Sequence, residues 1–156
     1  MNRTQGTKAR ARGVALVVAM AMVVLAFGVG TAGAAPAAKK KGTPVLIVVG
    51  DTAGTKAPMT MTVAPTSAPA GKITFTVKNE GTVIHEMVIL KTDVPFTLLP
   101  VVRNKVNEST AVGEVGDIGK GKTKSATYKL KAGNYVLVCN LSKHYGLGMR
   151  AAFTVT

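Results

Sequence analysis

The sequence predicts an all-β sandwich, and two observations support this prediction. From residue 44 onward, short apolar or alternating runs are separated by Gly, Pro, Asn and Asp residues, which is typical of strands joined by turns. The runs have neither the pattern of a helical protein nor the alternation of strands and helices found in a βαβ protein. A chain of 156 residues forms one compact domain by default.

Seven strands are predicted in this domain. Ile73, Phe75 and Val77 alternate with polar residues, so one face of their strand packs and the other meets solvent. The segment 92–122 is less regular and carries four glycines, and a short helix is predicted around Phe96–Val102. The predicted strands are Val45–Val49, Met59–Val63, Lys72–Lys78, His85–Leu90, Thr123–Leu130, Tyr135–Cys139 and Ala151–Val155.

Residues 1–34 have the layout of a secretory signal peptide. Four basic residues precede the apolar run Val14–Val29, and small residues follow it up to a predicted cleavage after Ala34. An uncleaved membrane anchor is the alternative, because the run is close to the length that spans a bilayer. Either way we expect the domain to be exported, periplasmic or extracellular. Residues 35–43 are predicted to be a flexible linker, and residues 44–156 the folded domain.

The net charge of the chain is strongly positive. Removing the four basic residues of the predicted signal lowers it from +13 to +9, which suits an acidic protein partner or a membrane surface. A solvated basic surface is the alternative. Nucleic-acid binding is disfavoured, because the remaining lysines are dispersed and no aromatic platform accompanies them. We expect a monomer.

A thiol, an imidazole and a thioether follow one another at equal spacing near the carboxyl end. Cys139, His144 and Met149 are separated by four residues each time, and the apolar run Tyr135–Val138 leads into the first of them. Two glycines between the last two residues let the loop turn back. A soft thiolate, an imidazole and a weak thioether together suit copper in both oxidation states.

The only other histidine in the chain is His85, which follows a glycine turn. One Cys and two His allow a single His₂Cys site and exclude multicopper oxidases, copper nitrite reductases and binuclear centres, which need further ligands. A structural role remains open for three of the four candidate ligands. Cys139 and Met149 would then be core side chains, and His85 a hydrogen-bonded histidine. Met87 is expected in the core. A Cys-His hydrolase is disfavoured, since no oxyanion loop or orienting acid is apparent.

Residues 132–139, the Cys-x4-His-x4-Met loop that begins at Cys139, and the Asn-x-Gly-x3-His run at 79–85 resemble the signatures of the cupredoxins. The four-and-four spacing is similar to that of rusticyanin, auracyanin and sulfocyanin. The resemblance implies a Greek-key β-sandwich with one type 1 copper ion and an electron-transfer role without enzymatic activity. It also implies that His85 and His144 provide nitrogen ligands, Cys139 the thiolate and Met149 the axial ligand.

One residue departs from the pattern of the family. Many cupredoxins carry Asn or Ser after the first ligand histidine, where it ties the two ligand segments together, and this chain has Glu86. The sequence leaves open whether Glu86 or Asn140 takes over that tie.

The predicted function is a one-electron Cu(II)/Cu(I) carrier in an extracytoplasmic redox chain, with a cytochrome or an oxidase as partner. The alternative is a protein of copper storage, delivery or sensing. Electrons are expected to pass through the imidazole edge of His144, with Lys143 and Arg150 bordering a small apolar patch. The residues expected in that patch are Leu141, Tyr145 and Leu147.

Overall fold

Two β-sheets face each other in the structure, a computed structural model that describes residues 41–52, 56 and 58–156. These residues belong to one compact unit, Ala38–Thr156. The predicted signal peptide and most of the predicted linker lie outside the described residues. Within the described part of the chain, no helix is long and apolar enough to cross a membrane.

The described residues form eleven strands. The first sheet has the order β2-β1-β4-β9 and the second β3-β11-β10-β5-β8, and a two-stranded ribbon pairs β6 with β7. Connections therefore cross between the sheets, and the predicted Greek-key β-sandwich is confirmed. The strands are β1 Thr43–Asp51, β2 Met59–Ala64, β3 Ser67–Ala68, β4 Gly71–Asn79, β5 His85–Lys91, β6 Val101–Val102, β7 Lys105–Val106, β8 Ala111–Ile118, β9 Thr123–Leu130, β10 Gly133–Val138 and β11 Arg150–Val155.

The core lies between the two sheets and follows the alternation of the sequence. Ile73, Phe75 and Val77 of β4 are buried, as predicted, while the residues between them face outward. The rings of Phe75 and Phe153, from opposite sheets, pack edge to face with 5.4 Å between ring centroids. Each large apolar side chain buried here contributes roughly 1.5–3 kcal/mol to folding.

A second apolar cluster lies on the outer face of the second sheet. Val88 and Leu90 of β5 point away from the main core and pack with Val106, Val136, Val138 and Tyr145. The segment 92–106 covers this face and reaches the loop that follows β10: the Tyr145 hydroxyl accepts the Leu99 amide at 2.9 Å and donates to the Phe96 carbonyl at 3.0 Å. The centre of β5 is therefore buried on both faces.

The short helix predicted around Phe96–Val102 is wrong. The chain forms turns there and then the ribbon of β6 and β7. Pro100 has no amide to donate and disfavours helical geometry at Leu99. Arg103 and Asn104 both adopt positive φ, 50° and 65°, the geometry of a two-residue hairpin turn.

All seven predicted strands are confirmed, and four were missed: the three two-residue strands and β8. β8 carries Gly113 and Gly116 and is irregular where it pairs with β5, so its sequence lacks a clean alternation. The Tyr128 ring of β9 lies against Gly113, where a Cβ would come within 2.6 Å of it. That contact joins the edges of the two sheets.

Candidate metal centre

Three neighbouring strands of the second sheet bring the predicted ligands to one end of the sandwich. His85 is the first residue of β5, and Cys139 directly follows β10, which runs antiparallel to β5. Met149 directly precedes β11, and His144 lies in the loop between β10 and β11. The loop and the start of β5 therefore lie at the same end of the sheet.

The donor atoms of His85, Cys139 and His144 lie within 4.8 Å of one another. The His144 Nδ1 atom is 3.3 Å from Cys139 Sγ and 3.2 Å from His85 Nδ1, and His85 Nδ1 is 4.0 Å from Cys139 Sγ. All three residues are buried. Two imidazole nitrogens and one thiol directed at a common point fit a single copper ion by donor type.

The loop between β10 and β11 is held by its own backbone. The amide of Cys139 donates to the Met149 carbonyl at 3.0 Å, and the amide of Met149 donates to the His144 carbonyl at 3.1 Å. Gly148 has φ +112°, and a Cβ there would come within 2.7 Å of the Met59 carbonyl oxygen, so this position requires glycine. Fully buried Met149 is thereby linked to both neighbouring predicted ligands.

The turn before His85 is organised by the side chain of Asn79. Its amide nitrogen donates to the carbonyls of Val83 and Ile118 at 2.8 and 2.7 Å, and its oxygen accepts the Gly81 amide at 2.8 Å. These bonds fix the path from β4 to β5. They give a physical reason for the Asn and the Gly in the run at 79–85.

Burial and hydrogen bonding act in opposite directions on the Cys139 thiol. Burial raises its pKa to about 11, while backbone amides of Glu86 and Leu141 donate to the sulfur and oppose the rise; the Glu86 nitrogen lies 3.4 Å from Sγ. The thiol therefore keeps its proton at neutral pH unless a cation replaces it. The pKa of His144 is lowered by burial and next by the charge of His85, with Asp51 opposing, which favours the neutral, ligating imidazole.

Comparison with known proteins agrees with this geometry. The family described as copper binding proteins, plastocyanin/azurin family, matches residues 48–156. The chain belongs to this family. It is a cupredoxin, and copper is its cofactor. No curated protein sequence matches the chain.

Solved cupredoxin structures have the same fold. Reduced auracyanin from the photosynthetic bacterium Roseiflexus castenholzii is 23% identical, with a TM-score of 0.52 over 75% of this chain and 99% of that one. Rusticyanin from Thiobacillus ferrooxidans is 20% identical, with a TM-score of 0.53 over 74% of this chain and 79% of that one. Auracyanin B is 20% identical, with a TM-score of 0.52 over 76% of this chain and 93% of that one.

In this cupredoxin, Glu86 supplies the tie between the two ligand segments. Its amide donates to Cys139 Sγ, and its carboxylate accepts the backbone amide of Asn140. Burial, and then the charge of Glu114, raise the pKa of this carboxyl. The Asn140 side chain turns elsewhere: its oxygen accepts the Val106 amide at 2.8 Å and its nitrogen donates to the Val106 carbonyl at 3.0 Å. Asn140 thus joins the loop to the ribbon strand β7.

A carboxylate that the sequence did not single out lies against His85. The Nε2 atom of His85 is 3.0 Å from Oδ2 of Asp51, and both side chains are fully buried. Asp51 ends β1, 34 residues before His85. The parallel pairing of β1 with β4 brings the end of β1 next to the turn before His85, and no local motif of the sequence signals such a contact.

The surface around His144 differs from the predicted patch. Tyr145 is buried in the second apolar cluster, so it contributes no exposed surface, because the segment 92–106 covers its ring and binds its hydroxyl. Arg150 is partly buried, donates to the Tyr145 carbonyl at 2.9 Å and lies over the Tyr145 ring. Lys143 is exposed, and Leu141 and Leu147 are half-buried. Lys143 is therefore the exposed cation of the predicted pair.

Proposed function

We propose that this cupredoxin is a one-electron carrier whose copper is held by His85, Cys139, His144 and Met149. The observation that carries the proposal is the convergence of three donor atoms within 4.8 Å in a buried site. Bound copper supplies a Cu(II)/Cu(I) couple. The protein makes and breaks no substrate bonds.

The chain's own residues would keep the site alike in both oxidation states. The donors are attached to strand ends and to a loop closed by internal hydrogen bonds. Little rearrangement of these residues would therefore accompany the change between Cu(II) and Cu(I). The amides of Glu86 and Leu141 stabilise negative charge on Cys139 Sγ. Apolar neighbours exclude water, since Met87, Leu137 and Met149 are fully buried in the same cluster as Cys139.

The burial of the predicted ligands favours a carrier over a protein that stores or delivers copper. His85, Cys139 and Met149 are fully buried and His144 is 3% exposed, so releasing the ion requires the loop to open. We expect a reversible voltammetric wave and retention of copper by the reduced protein during incubation with a Cu(I) chelator. Loss of copper to the chelator within seconds would instead favour storage or delivery.

The proposed place of action is outside the cytoplasm, in a redox chain with a cytochrome or an oxidase. Residues 1–34 support export by their sequence. His144 supports the proposed electron port because it alone among the four predicted ligands retains some exposure. The segment 92–106 carries exposed apolar side chains, including Leu98 and Val102. The same segment contacts the loop between β10 and β11 through the Tyr145 hydroxyl and the Lys143 amide.

Lys143 offers a test of docking by charge. Lys143→Glu is expected to lower the bimolecular electron-transfer rate with an acidic cytochrome by roughly two- to tenfold at low salt. A charge at the rim of a protein–protein interface acts mainly on the rate at which the partners associate. Added salt should remove most of the difference. Stopped-flow rates across an ionic-strength series measure the effect.

The matched control is Lys129→Glu, which makes the same change of charge at an exposed position of β9. Lys129 pairs with Lys72 at the start of β4, whereas Asn79 at the end of β4 supports the turn before His85, so the control lies far along the sheet from the site. Equal low-salt rates for the Lys143 variant and the wild type would refute docking near His144 and leave the copper site unaffected.

A further inference from the structure

Asp51 is held against His85 by a dense set of contacts. Its Oδ2 atom accepts the Thr82 amide at 2.7 Å and the Val83 amide at 3.3 Å, and lies 3.0 Å from His85 Nε2. Its Oδ1 atom accepts the hydroxyl of Thr82. A buried carboxylate with several donors directed at it is stabilised in its charged form.

The Asp51 carboxylate fits at this position because residue 81 is glycine. A Cβ at Gly81 would lie 2.0 Å from Asp51 Oδ2 and 2.9 Å from His85 Nε2, so any side chain would displace one of them. The Glu80 amide, next to it, donates to the Val49 carbonyl of β1 at 2.8 Å. The end of β1 and the turn before His85 are thus fixed together.

The orientation of His85 decides which nitrogen carries the proton. Its Nδ1 atom faces Cys139 Sγ and His144 Nδ1, so Nδ1 is the atom available to a metal. Nε2 must then carry hydrogen and donate to Asp51. A carboxylate acceptor makes an imidazole more basic and fixes its tautomer and ring orientation.

We infer that Asp51 is a positioning residue of the copper site, a buried carboxylate that fixes the Nε2–H tautomer of His85 and favours Cu(II) over Cu(I). The inference rests on the proposed function, since it concerns the same copper. A negative charge next to the ligating imidazole stabilises the higher oxidation state, Cu(II). The residue therefore sets the reduction potential without touching the ion.

Asp51→Asn isolates the charge from the geometry. An amide oxygen in the place of Oδ2 can accept the same three donors, and its NH₂ group can donate to the Thr82 hydroxyl, which is free to rotate. We expect the ratio of Cu(I) affinity to Cu(II) affinity to rise about tenfold, a potential higher by about 59 mV for a one-electron couple. The intense visible band should persist.

The control is Glu80→Gln, which removes one negative charge from the same turn at an exposed side chain paired with Lys78. It should leave the potential almost unchanged, because solvent screens the charge. Equal shifts in both variants, or no shift in Asp51→Asn, would overturn the role of Asp51. If the wild type lacks both the intense band and a reversible couple, the proposed function fails instead.

A measurement on the wild type keeps the inference testable if Asp51→Asn does not fold. In nitrogen-15 NMR of the diamagnetic Cu(I) protein, His85 should show a proton bound to Nε2 that exchanges slowly with water. A His85 ring without a proton on Nε2 would contradict the inference.

Discussion

Replacing Cys139 with serine is expected to abolish the intense visible absorption of the oxidised, copper-loaded protein. That absorption requires a short covalent bond from a thiolate to copper, and a hydroxyl does not provide one. Cys139 is the only cysteine in the chain, so no other thiol can substitute. We expect the absorption to fall to that of pale nitrogen and oxygen ligation, measured by visible spectroscopy at equal copper content.

The fold should survive this change. Serine is close to cysteine in size, and its oxygen can accept the Glu86 amide that now points at the sulfur, so far-ultraviolet circular dichroism of the metal-free protein should match the wild type. An intense band that persists in Cys139→Ser would show that the colour does not arise from this residue.

Replacing Met149 with leucine is expected to keep copper and colour while raising the reduction potential. A weak thioether ligand would tune the potential of the copper rather than hold the ion in place, and the loss of this donor would disfavour Cu(II). We expect a rise of roughly 60 mV or more, which corresponds to a change of tenfold or more in the relative affinity of the protein for Cu(I) and Cu(II). Protein voltammetry of the wild type and the variant measures the shift.

Met87→Leu is the matched control, because Met87 is also fully buried in the main core. It lies within β5, opposite Val115 of β8, and lacks the hydrogen bonds that link Met149 to Cys139 and His144. This exchange of similar volumes should cost less than about 1.5 kcal/mol of stability and shift the potential less than Met149→Leu. A larger shift for Met87→Leu would refute the axial assignment.

The main strands were predictable from local patterns. Alternation of apolar and polar residues in β4 reports directly which face is buried, because side chains alternate across a strand. The ribbon at 101–106 and the strand β8 were missed because their sequences carry no such pattern: Arg103 and Asn104 form a tight turn without glycine, and Gly113 is dictated by the Tyr128 ring of a neighbouring strand.

The site was predictable to the extent that its residues are close in sequence or unique in the chain. The loop from Cys139 to Met149 is local, and His85 was the only other histidine. Asp51 and the burial of Tyr145 were not predictable, because both depend on tertiary contacts: the parallel pairing of β1 with β4, and the cover of the second sheet by the segment 92–106. Such contacts leave no periodic trace in one sequence.

The visible spectrum of the oxidised protein loaded with one copper ion tests the central claim most directly. With His85, Cys139 and His144 around the ion, we expect an intense thiolate-to-copper charge-transfer band that disappears on reduction and returns on reoxidation. A protein that binds Cu(II) yet shows only the pale spectrum of nitrogen and oxygen ligands would contradict the assignment of Cys139 to the copper.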